Sequence, residues 1–344
     1  MVRGVCEAVC LPQALSYSTF ELTSMSIFSP AWRAVSAFNR THGRWVSVPL
    51  SNTWQSQGTP KPSLKSGSTN FPRIRRLSIV SWNIDAVSES PVLRARCILD
   101  RILKHPPDVI FFQEVKPAVR ESLLDDPSVQ EAFLTTDAED EAAFEVAPFA
   151  TMALLSRARF PSPDYPSPRN PLALGSVARV NLRSIVSPRD ALCVDVFVPP
   201  WPHTAVRLIN VHFEPFENRL FFREKQMEGV AQILREPGCS AGVVAGDFNA
   251  IGPKDDALVE EHGLVDAWLT SRVHMTQAGN PDGYTWGVDA ALRNGFAPGR
   301  LDKVALLGLK ASYIEVLQPG TVWVTGQGNV PWSDHCGPRC TVLI

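Results

Sequence analysis

From residue 77 onward, short apolar runs alternate with segments in which apolar residues recur every three or four positions. Short runs rich in β-branched and aromatic residues are typical of buried strands, and the three- and four-residue spacing is typical of amphipathic helices. The predicted strands are LSIVSW (77–82), DVIFFQEV (108–115), FATMALLS (149–156), ALCVDVFV (191–198), AVRLINVHF (205–213) and AGVVAGDF (241–248). The predicted helices lie at 91–104, 117–133 and 219–236. The alternation predicts an α/β fold.

Two of the predicted strands, 191–198 and 205–213, follow each other without a helix between them. Parallel neighbours need a long crossover connection, so these two strands are predicted to pair antiparallel. The sheets should therefore be mixed, unlike the all-parallel sheet of a doubly wound fold.

Composition and charge limit what the chain can do. With 344 residues, 44% of them hydrophobic and 20% charged, the chain has the profile of an ordinary soluble globular protein. The formal net charge of −2 supplies no global basic field for indiscriminate binding to a phosphate backbone. Any contact with nucleic acid must therefore be local. We expect a monomer.

The seven cysteines are scattered, odd in number and without a CxxC pair, which argues against a disulfide framework and against a zinc knuckle. A reducing compartment fits best, and no segment approaches the ~20 apolar residues that a membrane span needs. We expect an intracellular protein, nuclear or cytoplasmic. The Ser-rich, acid-poor N-terminus leaves a mitochondrial location open, although Glu7, Glu21 and Pro12 argue against a transit peptide.

Residues 1–70 differ in composition from the rest of the chain. They contain six Lys and Arg against two Glu, and positions 51–70 are almost entirely turn and linker residue types. We predict an N-terminal extension and linker over 1–70, disordered in part, and a single main domain over 71–344. The stretch from Phe38 to Val48 has turn-forming residues at its middle and is a candidate for a small hairpin against that domain.

Polar clusters stand where several of the predicted strands end, namely SWNID (81–85), FQEV (112–115), NVHFE (210–214) and GDFN (246–249). Side chains at the mouth of a buried strand are held rigidly and still reach solvent, as catalysis requires. Taken singly, Asp247 and Asn249 are ordinary turn residues after a strand. Asp302 lies within an apolar run, where an unpaired carboxylate is costly, and a bond to the His335 imidazole would remove that cost.

The ordered set SWNID, FQEV, NVHFE, GDFN, RLDKV and SDH resembles the endonuclease/exonuclease/phosphatase superfamily over about residues 77–344. Within it, WNID, HFE, LVDAW (264–268), YTW (284–286) and RLDKV look most similar to the tyrosyl-DNA phosphodiesterase type 2 group. The resemblance implies a four-layer α/β/β/α sandwich with two packed mixed β-sheets, a divalent metal and phosphodiester hydrolysis. Ala86, Phe248 and Cys336 depart from the family's usual residues beside the pocket.

Magnesium prefers hard oxygen ligands and usually takes one or two protein carboxylates. Glu114 is the first predicted ligand of Mg²⁺, with Mn²⁺ as the alternative ion. Asp85 and Asn83 are predicted as supporting oxygens, and the alternative for Asp85 is that it caps the following loop. The resemblance adds Asp334 to this set as a ligand of the metal or of its water.

The remaining catalytic candidates act on the nucleophile and on the phosphate. Asp247 is predicted to orient the attacking water, with Asn249 two positions on pointing the same way. His212 and His335 are predicted to donate hydrogen bonds to the phosphate oxygens, with Asp302 holding His335 in register.

Two residues are predicted to bind substrate. Arg223 is a candidate for contact with a nucleic-acid backbone, although a solvated helix face is the ordinary role of such a residue. Trp286 is a candidate for stacking on a base, and burial in the core is the alternative. The predicted activity is hydrolysis at DNA 5′-ends, including 5′-tyrosyl adducts. Another phosphoesterase of the superfamily (abasic endonuclease, nuclease or lipid phosphodiesterase), or an inactive scaffold on the same fold, remains the alternative.

Overall fold

Two large sheets and seven α-helices make up most of the regular structure of the part of the chain described by this computed structural model. The structure describes residues 29–50, 75–162, 171–198, 201–271, 280, 282–288 and 297–344. The strands are Ala31–Arg33 (β1), Ser36–Asn39 (β2), Arg44–Ser47 (β3), Arg76–Asn83 (β4), Val109–Val115 (β5), Phe133–Thr135 (β6), Ala150–Ser156 (β7), Ala173–Leu182 (β8), Arg189–Val198 (β9), Trp201–His212 (β10), Cys239–Asp247 (β11), Val265–Asp266 (β12), Asp302–Leu307 (β13), Lys310–Leu317 (β14), Thr321–Val324 (β15), Gly328–Pro331 (β16) and Gly337–Leu343 (β17). The helices are Pro91–Leu103 (α1), Pro117–Leu124 (α2), Pro127–Ala132 (α3), Ala142–Glu145 (α4), Leu220–Ile233 (α5), Pro253–Glu261 (α6) and Ala267–Ser271 (α7).

Both large sheets are mixed, as predicted. One has the strand order β1-β8-β9-β10-β11-β13-β12 and the other β14-β17-β4-β5-β7-β6-β2-β3. The pairs β10–β11 and β4–β5 are parallel, and the other neighbours within these two sheets are antiparallel. The antiparallel pairing predicted for 191–198 and 205–213 is confirmed in β9–β10.

Three hydrophobic cores separate four layers. Alternate residues of each strand enter different cores, as Ile79 and Val80 of β4 do. The first core lies between the two sheets, the second joins the eight-stranded sheet to α1 and α2, and the third joins the seven-stranded sheet to α5 and α6. The α/β/β/α sandwich is therefore confirmed.

The six predicted strands are present, and one of the three predicted helices is interrupted. The segment 117–133 forms two helices, α2 and α3, because Pro127 starts a new helix and the Asp126 carboxylate accepts hydrogen bonds from the Ser128 and Val129 amides. Among the described residues, no helix is both long and apolar enough to cross a membrane.

Part of the predicted N-terminal extension belongs to the sheets. β1 pairs with β8 at one edge of the seven-stranded sheet, while β2 and β3 form a hairpin that pairs with β6 in the other sheet. The structure thus contains the hairpin that the sequence left open. The segment 31–47 thereby contacts both sheets. The linker predicted at 51–70 lies outside the described residues, and the division at residue 70 stays a prediction.

Gly246 lets β10 and β11 come close at their carboxyl ends. Its φ is +152°, and a Cβ atom at this position would overlap the Val211 carbonyl oxygen of the neighbouring strand. His212 and Asp247, the next residues along, are paired across the same two strands. The glycine of GDFN therefore sets how near the histidine and the aspartate lie.

We predict that Gly246→Ala lowers the free energy of unfolding by roughly 2 kcal/mol or more, because the added methyl group pushes the two strands apart. Gly252→Ala is the matched control, since a Cβ atom there lies 3.7 Å from its nearest neighbour, and it should cost less than about 1 kcal/mol. Urea unfolding of both variants measures the difference. Equal losses would contradict this account of Gly246.

Candidate active site

Strand parity places four of the predicted side chains on the two sheet faces that pack against each other. In β10, Val206 and Leu208 enter the core between the sheets, so His212 faces the same side at the end of the strand. In β11, Val243 and Ala245 precede Asp247 in the same way. The residues that share this parity are Asn83, His212, Asp247 and Asp302.

Glu114 reaches the site through an irregularity of its strand. The register of β5 against β7 shifts between Phe112 and Val115, and Glu114 has a left-handed φ of 60°. Such a bulge turns a side chain that would otherwise face the opposite side of the sheet. The Glu114 carboxylate accepts hydrogen bonds from the Ala86 amide (2.7 Å) and from Asn83 Nδ2 (3.2 Å). A non-glycine residue in this conformation costs of order 1 kcal/mol, which the two bonds offset.

Asn83 joins two carboxylates. Its Nδ2 donates to Glu114 Oε1 and, over 3.0 Å, to Asp247 Oδ2. Its Oδ1 accepts from the Asp85 amide at 3.0 Å, and an N–H can only donate, which fixes the orientation of the side-chain amide. Asn83 was predicted as a supporting oxygen, whereas the structure turns its nitrogen towards the carboxylates.

His335 and Asp302 form a buried pair. Their Nδ1 and Oδ2 atoms lie 2.8 Å apart, and His335 Nε2 lies 3.9 Å from Asp247 Oδ2. Burial alone lowers the pKa of His335, but Asp302, Asp334 and Asp247 outweigh burial and hold that pKa well above its usual value. These three carboxylates therefore favour the charged form of His335, and its Nε2 atom faces Asp247 and Asp334.

His212 has the opposite electrostatics. Its Nε2 lies 3.5 Å from Asp247 Oδ2 and 3.8 Å from Glu114 Oε1. Burial, the Arg189 guanidinium and His335 hold the pKa of His212 well below its usual value. The surroundings of the two imidazoles thus shift their pKa values in opposite directions.

Asp247 lies between the two histidines. Burial raises the pKa of its carboxyl to about 6, with His335 opposing the rise and Asp302 adding to it. Asp247 Oδ1 accepts from the Asn249 amide at 2.8 Å. The reasoning that strand alternation would align Asn249 with Asp247 is wrong, because β11 ends at Asp247 and Asn249 has a left-handed φ of 47°. The Asn249 side chain instead donates to the Phe213 carbonyl at 3.0 Å.

Asp85 anchors the loop that follows β4. One carboxylate oxygen accepts from the Val87 and Ser88 amides, and the other binds Ser88 Oγ and, over 2.6 Å, Arg94 Nη2. Arg94 also donates to the Pro331 carbonyl, so one guanidinium ties this loop to the segment before His335. These contacts correspond to the loop-capping alternative for Asp85 and leave its carboxylate little capacity to bind a metal.

Two predicted substrate-binding residues differ in accessibility. The Arg223 side chain is fully buried, with Nε and Nη2 bound to the two carboxylate oxygens of Asp255 at 2.6 and 3.0 Å. The prediction that Arg223 contacts a nucleic-acid backbone therefore fails, because its donors are used inside the fold. Trp286 is half-buried and donates to Asp334 Oδ2 at 3.0 Å, while Asp334 Oδ1 lies 3.9 Å from His335 Nε2.

Several residues that support the site were missed from the sequence. Arg189 donates to His212 Nδ1 over 2.8 Å, and Phe149 stacks on the same ring with centroids 5.8 Å apart. Ser333 Oγ donates to the Asn83 carbonyl and accepts from the His335 amide. The SDH motif carried a signal for Ser333. The sequence carries no such signal for Arg189 or Phe149, because the local pattern is equally compatible with a surface position for either residue.

The acidic groups fit a hard cation better than a nitrogen-ligated metal. Asp247, Asp302 and His335 bring potential ligand atoms within 4.8 Å of one another. The shortest of these contacts is the bond from His335 Nδ1 to Asp302, which occupies both atoms. Burial raises the pKa of Glu114, and nearby Asp247 raises it further, so negative charge is crowded here. Glu114 is also the more exposed of the two carboxylates that bind Asn83, as an incompletely dehydrated Mg²⁺ requires.

A cavity of about 270 Å³ opens beside His212. Its lining includes apolar side chains of Phe149 and the α4 region together with Arg179, Arg189 and Asp190. β1 contributes Arg33 to the same lining. Arg33 and Arg179 are paired with Asp140 and with Asp137 and Asp190, whereas Arg189 contacts His212.

Known proteins share this architecture. Similar solved structures include D. rerio TDP2 complexed with single strand DNA product (TM-score 0.57, 21% identity, 78% of this chain and 98% of that chain) and C. elegans TDP2 (TM-score 0.57, 18% identity, 78% and 75%). The human Nocturnin catalytic domain with bound sulfate anion is similar as well (TM-score 0.52, 17% identity, 80% and 100%). At these identities the likeness shows a shared fold.

No curated protein matches the chain in sequence. The sequence model of the Endonuclease/Exonuclease/phosphatase family, however, matches residues 80–335. This range begins in β4, ends at His335 and includes each of the strand ends described above, as the sequence resemblance predicted. The chain belongs to the Endonuclease/Exonuclease/phosphatase family.

Proposed function

We propose that this protein is a magnesium-dependent phosphodiesterase that hydrolyses DNA 5′-ends, including 5′-tyrosyl adducts. The observation that carries the proposal is the convergence of Glu114, His212, Asp247 and His335. Their charged or hydrogen-bonding atoms form a continuous series of contacts, at 3.8 Å from Glu114 to His212, 3.5 Å from His212 to Asp247 and 3.9 Å from Asp247 to His335. Members of the family hydrolyse phosphate esters, and these side chains are the ones that such chemistry needs. A nuclear, cytoplasmic or mitochondrial location and a monomeric state stay predictions.

Asp247 is the group proposed to orient the attacking water. Asn83 Nδ2 and the Asn249 amide hold its carboxylate, one on each oxygen, so its orientation is fixed while each oxygen can still accept a further proton or hydrogen bond. A general base near the operating pH is most effective, and positioned proton transfer contributes typically ~10²–10⁴ in rate. Asn249 then acts through the position of Asp247, and its own contact with the water stays a prediction.

The two histidines are proposed to donate to the phosphate oxygens. His335 brings a positive charge that Asp302 stabilises, whereas His212 brings a neutral N–H. Donors fixed before the reaction stabilise the charge that develops in the transition state, and removing one such donor typically costs ~10²–10³ in rate.

Glu114 is proposed as the carboxylate that holds Mg²⁺, with Asp334 as the second acidic group near the mouth. When bound, the cation neutralises negative charge on the phosphate and on the leaving oxygen. Trp286 holds the Asp334 carboxylate through its indole N–H, which gives this residue a positioning role besides the predicted stacking.

The cavity beside His212 supports a bulky leaving group. A tyrosine phenolate has a conjugate acid of pKa ~10 and departs more easily than an alkoxide, so it needs less help from a general acid. The Phe149 ring offers a surface for an aryl group, and Arg189 is the lining arginine of this cavity that is not paired with a carboxylate among the described residues. One similar structure, D. rerio TDP2, holds a single strand DNA product, which is consistent with a nucleic-acid substrate.

We predict that the purified chain releases tyrosine from a 5′-tyrosyl oligonucleotide in the presence of Mg²⁺ and that EDTA abolishes the release. Glu114→Gln and Asp247→Asn should each lower kcat by roughly 10³-fold, and Arg223→Lys should change it little because that side chain serves the fold. A panel with abasic duplex and sphingomyelin separates the alternatives. Preference for either of those substrates would overturn the 5′-end assignment, and activity that survives EDTA would overturn the metal.

A second prediction concerns the cavity. Phe149→Ala should raise KM for the tyrosyl oligonucleotide about tenfold relative to a 5′-methyl ester of the same oligonucleotide, because an aromatic pair is worth about 1.4 kcal/mol. The ratio removes any effect on His212 that both substrates share. Trp32→Ala is the control, since Trp32 is exposed on β1 between two residues that line the cavity. An unchanged ratio would exclude the cavity as the leaving-group site.

A third prediction distinguishes a metal ligand from a loop anchor. Asp85→Asn and Arg94→Met remove opposite halves of one ion pair, so both should lower Tm by several degrees and change Mg²⁺ affinity by only a few-fold. Glu114→Gln should abolish measurable Mg²⁺ binding by titration calorimetry. If Asp85→Asn abolishes binding and Arg94→Met does not, Asp85 is a ligand after all.

A further inference from the structure

Arg189 is a buried arginine beside the active site whose guanidinium is in direct contact with a histidine and not with a carboxylate. Its residue exposure is 7%, and its Nη1 atom lies 2.8 Å from His212 Nδ1. Across the described ranges, no carboxylate lies within ion-pair distance of its guanidinium. The adjacent Asp190 is engaged elsewhere, by Arg179 at 2.8 Å and by Thr151 at 3.1 Å. A buried charge is costly, so the contact with His212 calls for an explanation beyond stability.

The chemistry of the two groups fixes where the proton of His212 lies. A guanidinium has only donors, so His212 Nδ1 must accept the hydrogen bond with its lone pair. A neutral imidazole that accepts at Nδ1 carries its proton on Nε2. Nε2 is the atom that faces Asp247 and Glu114.

His335 shows the opposite arrangement and serves as an internal comparison. Its Nδ1 meets the Asp302 carboxylate, which can only accept, so that nitrogen carries a proton. The two imidazoles of one site are thus set by two different partners, an arginine and an aspartate. The arginine thus leaves the proton of His212 on Nε2, whereas the aspartate draws a proton of His335 to Nδ1.

The surroundings keep the arginine and the histidine in contact. The Phe149 ring lies 5.4 Å from Arg189 Cζ and is stacked on the His212 ring with an interplanar angle of 24°. Ala191 of β9 pairs with Val211 of β10, so Arg189 starts its strand beside the residue that ends the neighbouring one. A movement of Arg189 or His212 would therefore disturb the packing of the other against Phe149.

We propose that Arg189 is a positioning residue that holds His212 in the neutral tautomer with the proton on Nε2, so that this N–H is available to a substrate phosphate oxygen. The effect on catalysis rests on the proposed function, whereas the assignment of the His212 tautomer does not. Replacing the donor should free His212 to place its proton on Nδ1, which would turn a lone pair towards the phosphate.

NMR of the full chain labelled with ¹⁵N-histidine tests the tautomer without substrate. Long-range ¹H–¹⁵N correlations distinguish the two neutral tautomers and the imidazolium, and His212→Gln assigns the resonance among the seven histidines. We expect wild type and Arg189→Lys to show the Nε2–H tautomer, because lysine is also only a donor. Arg189→Met should lose this preference. Arg33→Gln is the control, because Arg33 lines the same cavity; this substitution should leave the His212 signal unchanged.

Kinetics of the same variants test the consequence. Partners that orient a catalytic group typically contribute 10–100-fold to activity, so Arg189→Met should lower kcat by about that factor with KM little changed, and Arg189→Lys should recover part of it. A wild-type His212 with its proton on Nδ1, or an Arg189→Met spectrum and kcat like wild type, would overturn the proposal. If Arg189→Met does not fold, the wild-type and Arg189→Lys spectra still decide the tautomer. Absence of phosphodiesterase activity in wild type would overturn the proposed function alone.

Discussion

The contact between the two sheets is the constraint on which the site depends. Asn83 and Glu114 come from the eight-stranded sheet, while His212, Asp247 and Asp302 come from the seven-stranded one. The bond from Asn83 to Asp247 crosses from one sheet to the other, and the bond from His335 to Asp302 joins the segment before β17 to the seven-stranded sheet. Asn210 forms further hydrogen bonds between the sheets. Its Oδ1 accepts from Gln113 Nε2 at 2.7 Å, and its Nδ2 donates to the carbonyls of Phe112 and Met152. A shift of one sheet against the other would separate the carboxylates from the histidines.

Burial determines the chemistry of the groups brought together in this way. Three carboxylates lie close together with little solvent to stabilise their charge, which raises the pKa of Asp247 to about 6 and raises that of Glu114 as well. Arg189 and His335 lie near these carboxylates and reduce the excess of negative charge in the site. A bound divalent cation would compensate the remaining negative charge. The proposed metal and the proposed base, Asp247, would therefore affect each other electrostatically.

Backbone conformation supplies the fine placement. Asp85, Glu114 and Asn249 have left-handed φ values of 55°, 60° and 47°, although none of them is glycine. Each stands just where a strand ends or bulges, and each has a carboxylate or an amide that is hydrogen-bonded to a nearby backbone group. Strain at these points is offset by local bonds and directs side chains that regular strand geometry would send elsewhere.

The sequence by itself determined the alternation of strands and helices, the mixed pairing and the positions of the polar strand ends, because hydrophobic periodicity and residue type are local properties. It also pointed to Asp302 as the partner of His335, since a carboxylate in an apolar run needs a donor. Only the tertiary structure decided that Arg223 is internal, that Asp85 binds Arg94, and that Arg189 reaches His212. These depend on which distant donor meets which acceptor, and that choice follows from the packing of two sheets.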